Sequence, residues 1–195
     1  MSQTLAFRNR QRVRRIDTAL LHRITLHILR EQLQIADFEL AIHLVAATEM
    51  ARVNKTFLDH EGSTDVITFD YSDEGFRVSG FAFRVDRDGT QPETRNAKPE
   101  TTLHGEIFLC LDDAVVQARQ FRTTWQSEVV RYVIHGLLHL CGHDDLKPAD
   151  RRIMKREENR LLREIDTQFP LGQLECRKPK RGANSSAARR IRSAN

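Results

Sequence analysis

Residues 130–145, V-R-Y-V-I-H-G-L-L-H-L-C-G-H-D-D, constrain this chain more than any other stretch. Apolar side chains fall on every face of the helix they predict, so that helix is buried on most sides. Two histidines, His135 and His139, interrupt the apolar surface at i and i+4, which places both rings on one face about a turn apart. One helix can give two imidazoles to one cation with that spacing. Gly142 then ends the helix by taking the left-handed conformation, and the chain can double back to bring Asp144 or Asp145 under the rings. Two imidazoles and one carboxylate leave a fourth metal position for water, the mark of a hydrolytic site. Histidine pairs at this spacing also occur without a metal. Here the apolar setting makes an unpaired imidazole costly, and a His-Asp-Asp cluster follows at once, so the metal reading is preferred.

The flanking sequence predicts alternating strands and helices. A short strand is expected around Leu5 to Phe7, and a helix capped by Asp17 up to about Leu33. Phe38, Leu40, Ile42 and Leu44 alternate with polar residues and predict a strand, with His43 on its more solvated face. A helix opening at Ala46 or Thr48 runs through Met50, Val53 and Phe57, and residues 66–69 form a second strand. Residues 71–102 read as a loop insert, with an extra strand or hairpin within 78–85. His104, Gly105, Glu106 and Ile107 lead a third strand that ends at Asp112 and Asp113, one of which is expected to cap the next helix. Ser127 and Glu128 start the histidine helix. A last helix begins at Pro148 and carries Ile153, Glu157, Leu161 and Ile165 on one line, with Pro170 ending the fold. The class predicted is α+β: one domain, a small mixed sheet packed against helices, with the metal-binding helix central and buried.

Of the 195 residues, the first 15 carry five arginines and no acid, and residues 170–195 carry a net +6. The whole chain is only +4, which leaves −7 on residues 16–169. An acidic body with basic ends suits a polyanionic partner. Residues 170–195 are expected to be a disordered tail, with Lys178, Lys180 and Arg181 as contacts to that polyanion. The three cysteines give no disulfide framework. With no membrane-length apolar run and no secretory signal, the expected location is cytoplasmic, away from membranes.

The histidine spacing resembles that of metzincin proteases, H-E-x-x-H-x-x-G-x-x-H, but Gly136 stands where their glutamate base would be. The pattern H-G-x-L-H-L-x-G-x-D resembles more closely the YbeY family, bacterial endoribonucleases of ribosomal RNA maturation. His135, Gly136, Leu138, His139, Leu140, Gly142 and Asp144 all match. Where the family has a third histidine this chain has Asp145, itself an acceptable zinc ligand. Asn54, Phe57 and residues 64–69, T-D-V-I-T-F, continue the likeness, and His104 to Ile107 resemble the family's G-D-I strand. Directly after the aromatic the family carries an arginine. This chain has Leu58, with Arg52, Lys55 and His60 as substitutes for its charge.

The resemblance implies one Zn2+ on His135, His139 and Asp145, with His143 as the alternative third ligand. It implies a domain over residues 1–169 that cleaves single-stranded RNA and matures the 3′ end of small-subunit (16S) ribosomal RNA. The partners implied are the rRNA precursor, the small ribosomal subunit and assembly factors. The base would be the metal-bound water itself or Asp144. A metalloprotease, or a non-catalytic assembly factor with a structural metal, are the alternatives.

Overall fold

In the computed structural model, which describes residues 2–71, 77–79 and 102–176, a mixed sheet carries the strands in the order β1-β2-β5-β3-β4. The strands are β1 (Gln3–Asn9), β2 (Asp37–Val45), β3 (Val66–Asp70), β4 (Arg77–Ser79) and β5 (Thr102–Cys110). β1, β2 and β5 run parallel, whereas β3 pairs antiparallel with both β5 and β4. The helices are α1 (Thr18–His27), α2 (Ala47–Leu58), α3 (Leu111–Phe121), α4 (Trp125–Leu140) and α5 (Pro148–Gln168). The α+β expectation therefore holds. Lys178, Lys180, Arg181, the disordered-tail expectation beyond residue 176, and the insert beyond Ser79 lie outside the described residues.

Side-chain alternation explains how the sheet divides the molecule. Phe38, Leu40, Ile42 and Leu44 of β2 join Leu103, Ile107 and Leu109 of β5 in the main core, shared with α1, α4 and α5. The opposite face builds a second core from Val45, Met50, Leu58, Ile67, Phe69 and Cys110 under α2. Nearly every face of α4 is buried, from Val129 and Val130 to Leu137 and Leu138, because α3, α5, β3 and β5 all pack against it.

Gly136 lies where α4 meets β5. A Cβ there would sit 2.7 Å from Ile107 Cγ2, well inside contact distance. The position where a metzincin keeps its glutamate is thus pressed against the sheet and takes no side chain without displacing the helix.

Several local expectations are corrected. His43 is only 4% exposed rather than solvated: its ring stacks on Phe108 at 4.4 Å between centroids, and Nε2 lies 3.2 Å from a Glu106 carboxylate oxygen. Neither Asp112 nor Asp113 caps its own helix, whose N-cap is Cys110. Instead Asp112 Oδ2 accepts from the Ala47 amide at 2.7 Å, supplying α2 with the cap that Ala46 has no side chain to give. Asp113 Oδ1 accepts from the Ser63 hydroxyl. α4 starts at Trp125, two residues before Ser127, because the Thr124 hydroxyl caps it through the Ser127 amide.

On α5 the buried line is Met154, Glu158, Leu161, Leu162 and Ile165, whereas Ile153 is 47% exposed. The fold does not end at Pro170. A turn of 3-10 helix, Leu171–Leu174, buries Leu171 and Leu174, and Glu175 bridges to Ile16.

Burial of His43 has a measurable consequence. Desolvation holds its pKa below the usual histidine value, and Arg10 and Arg8 push the same way against the opposing pull of Glu106. The folded state then binds fewer protons than the unfolded one. Stability from this site is complete above about pH 6.5 and is lost as the pH falls toward the depressed folded value. In thermal melts from pH 8 to pH 5, His43→Gln is expected to lose less stability on acidification than the parent chain does.

Candidate metal centre

α4 ends in a wound-down turn. Gly142 has φ +86°, and His143 N–H donates back to Leu138 O at 3.0 Å, so the chain reverses and passes under the helix end. Asp144 Oδ1 accepts from the Leu146 amide at 3.0 Å and shapes this return. The reversal brings Asp145 to the two rings: its Oδ1 lies 4.0 Å from His139 Nε2. One ligand atom each from His135, His139 and Asp145 lies within 4.8 Å of the others. The structure thus brings together the three side chains expected as ligands and places Asp144 in the turn beside them. His143 meets His139 through its backbone carbonyl and is not among the three grouped side chains.

Each imidazole is held from behind. His139 Nδ1 lies 3.0 Å from His143 O, and because a carbonyl only accepts, that nitrogen carries the proton. His135 Nδ1 donates to Glu158 Oε1 at 2.6 Å. Glu158 is 4% exposed; Lys155 Nζ is 3.3 Å and Arg131 Nη1 3.6 Å from its other oxygen. Burial works against charge on Glu158. The hydrogen bond and charge of His135 and the nearby Lys155 overcome it, so the carboxyl stays below its usual pKa. For His135 burial again opposes charge, and Glu158, with smaller help from Asp65 and Asp145, raises it above the ordinary value. His139 is lowered by burial and by the charge of His135.

With both Nδ1 atoms donating, the two Nε2 atoms face each other 3.0 Å apart. In the metal-free protein a proton on His135 Nε2, donated to His139 Nε2, bridges the pair, and a metal cation would take that proton's place. The donor set, two imidazoles and a carboxylate, suits a divalent transition-metal ion and would leave it an open position. Hydrogen-bonded carboxylate and carbonyl partners behind the imidazoles fix their tautomers for that role.

Glu158 is the functional residue that the sequence reading missed. Its signal was available: a glutamate in the middle of the line Met154, Leu161, Ile165 is a charge at a core position, and such a charge needs a partner.

The other residues singled out have mostly structural work. Asn54 Nδ2 donates to Gly62 O at 3.0 Å and ties the end of α2 to the turn before β3. Asp65 Oδ1 accepts from Val66 N–H and the Thr64 hydroxyl at the strand entry. Leu58 is 4% exposed, packed in the second core, so no cation occupies that position. Lys55 is committed to Asp59 at 2.8 Å and Glu61 at 3.1 Å.

Comparison with known proteins bears on the family and the fold. A family model described as "Endoribonuclease YbeY" matches residues 6–166. The endoribonuclease YbeY of Parabacteroides distasonis is 35% identical over 114 residues, 58% of this chain and 62% of that one. That of Chlorobium luteolum is 30% identical over 152 residues, 78% of this chain and 91% of its own. The solution structure of TM1509 from Thermotoga maritima covers 92% of this chain and 99% of its own at a TM-score of 0.54 and 20% identity, which shows the same fold. Among the described residues, no helix is long and apolar enough to cross a membrane.

Proposed function

Because this chain belongs to the YbeY endoribonuclease family, we propose that it is a cytoplasmic, zinc-dependent endoribonuclease that cleaves single-stranded RNA and matures the 3′ end of small-subunit (16S) ribosomal RNA. The small ribosomal subunit and its assembly factors are the partners in this reading. The observation that carries it is the pair of Nε2 atoms 3.0 Å apart, each imidazole anchored through Nδ1 and with Asp145 alongside.

His135, His139 and Asp145 would hold one Zn2+. The ion supplies Lewis acidity, which lowers the pKa of a water and polarises a phosphoryl oxygen. The protein's own part is to aim two neutral imidazole lone pairs at one point and keep them there. Glu158 and the His143 carbonyl do that from behind. Asp145 lies 4.0 Å from His139 Nε2, and the charges of Asp145 and Asp144 both favour a cation there. Asp144, with one oxygen on the Leu146 amide, is the carboxylate we assign to receive the proton of the attacking water.

The test is cleavage of a labelled single-stranded RNA by chain stripped of metal, before and after one equivalent of Zn2+ is restored. Activity absent in the stripped protein and recovered with Zn2+ is expected, with duplex RNA left intact. The buried Leu58, where the family has an arginine, favours one second reading: a non-catalytic assembly factor whose metal only holds the fold. Under that reading the zinc-loaded chain binds the RNA without cutting it, and metal removal lowers its melting temperature.

A further inference from the structure

The arginine-rich segment after β1 meets the last described residues of the chain, Glu175 and Cys176. Residues 10–15 leave β1 as a loop that carries Arg12, Arg14 and Arg15. Gln11, only 6% exposed, holds it rigid from inside: Nε2 donates to Asn9 Oδ1 and Arg14 O, and Oε1 accepts from the amides of Val13 and Arg14. The C-terminal segment runs past the same loop, where Cys176 N–H donates to Arg15 O at 3.0 Å and Glu175 bridges to Ile16. Between them is a cleft of about 450 Å³ lined by the three arginines, Asn9, Gln11 and Cys176. Arg14 also lines a second cleft of about 350 Å³ with Arg119 and Trp125, at the start of α4.

Among the described residues, no carboxylate lies within ion-pair distance of Arg12, Arg14 or Arg15, although Arg10 pairs with Glu49, Arg131 pairs with both Glu128 and Glu158, and Glu175 lines the second cleft. Three guanidinium groups held on a fixed backbone without a paired carboxylate repel one another, and an anion relieves that repulsion. Arginine's planar fork of donors matches phosphate oxygens. Beyond Cys176 the sequence adds seven Lys/Arg and no acid over residues 177–195, so the polypeptide leaving the cleft is itself cationic.

We propose that the arginine loop and its cleft form a second RNA-binding site, which grips the phosphodiester backbone without reading sequence and sits apart from the histidines. The proposal rests on the endoribonuclease reading. Gln126, at the Arg14 end of α4, is nine residues from His135, roughly 14 Å along the helix axis. RNA engaged at both places would be held across that span.

The experiment uses the full-length, zinc-loaded chain with Arg12, Arg14 and Arg15 all changed to Gln, and the same positions changed to Lys. Affinity for a fluorescein-labelled oligouridylate is read by anisotropy immediately after mixing, at several salt concentrations. Each phosphate contact on a single strand contributes about 0.7 to the salt slope, so the Gln variant is expected to flatten it by about 2 and to bind about 100-fold more weakly near 0.1 M salt. The Lys variant keeps the slope. Arg12→Gln alone, at a side chain with no bond inside the loop, flattens it by about 0.7 if the triple variant fails to fold.

A parental slope in the Gln variants, or no RNA binding by the parent, overturns the proposal. A parent that binds RNA with the expected slope change but never cuts it leaves this site standing and removes the nuclease reading. A parent that cuts RNA with a slope indifferent to the arginines does the reverse.

Discussion

Replacing His139 with alanine is expected to abolish RNA cleavage and empty the metal site while leaving the fold in place. The Lewis acidity supplied by a bound divalent ion is worth several kcal/mol, and each 1.4 kcal/mol is tenfold in rate, so the expected loss is about 1,000-fold or more. Zinc content, measured by elemental analysis, is expected to fall from one equivalent to almost none. The imidazole side chain is only 6% exposed, so the truncation also leaves a small cavity, with a stability cost of about 1–3 kcal/mol. His139→Asn, which fills more of that space, separates the two effects: it recovers stability without recovering cleavage. An alanine variant with full activity would end the metal-nuclease reading.

Glu158 gives the second large effect, although it is never in contact with substrate. Glu158→Gln keeps an acceptor for His135 Nδ1 but removes the negative charge that makes the imidazole a stronger ligand. Loss of a carboxylate behind a ligating histidine costs about 10- to 100-fold in metal affinity or activity. Glu158→Ala is expected to lose more than Glu158→Gln, because the ring then also loses its orientation. Zinc competition against a chromophoric chelator reads the affinity directly. If both variants hold zinc as tightly as the parent, Glu158 serves only the packing of α5.

The centre was legible in the sequence to the extent that its chemistry is local. His135 and His139 share one helix and Gly142 marks the reversal, so spacing delivers the two rings with Asp144 or Asp145 beneath them, and the resemblance singles out Asp145. Glu158 comes from another helix and depends on which line of α5 turns inward, a matter of one residue's rotation. The exposed Ile153 and buried Met154 show that rotation clearly. His43 illustrates the same limit in a strand. Alternation correctly placed it opposite Phe38, Leu40 and Ile42, but alternation does not say whether that opposite face meets water or Phe108. Asp112 was legible as a cap and not as the cap of a different helix, because Ala47 is 65 residues away in sequence.

The order in which these parts are synthesised bears on when zinc can enter. β2 cannot complete its pairing until β5 emerges, since Asp37 aligns with Thr102, 65 residues later. Non-local strand pairs of this kind form slowly, after a long loop has been closed. Glu158 emerges later still, after both histidines and the aspartate are already outside the ribosome. Until α5 has formed, His135 therefore lacks the carboxylate that orients its ring. Under the metal-nuclease proposal, a product truncated before α5 would lack the Glu158 contact that orients His135.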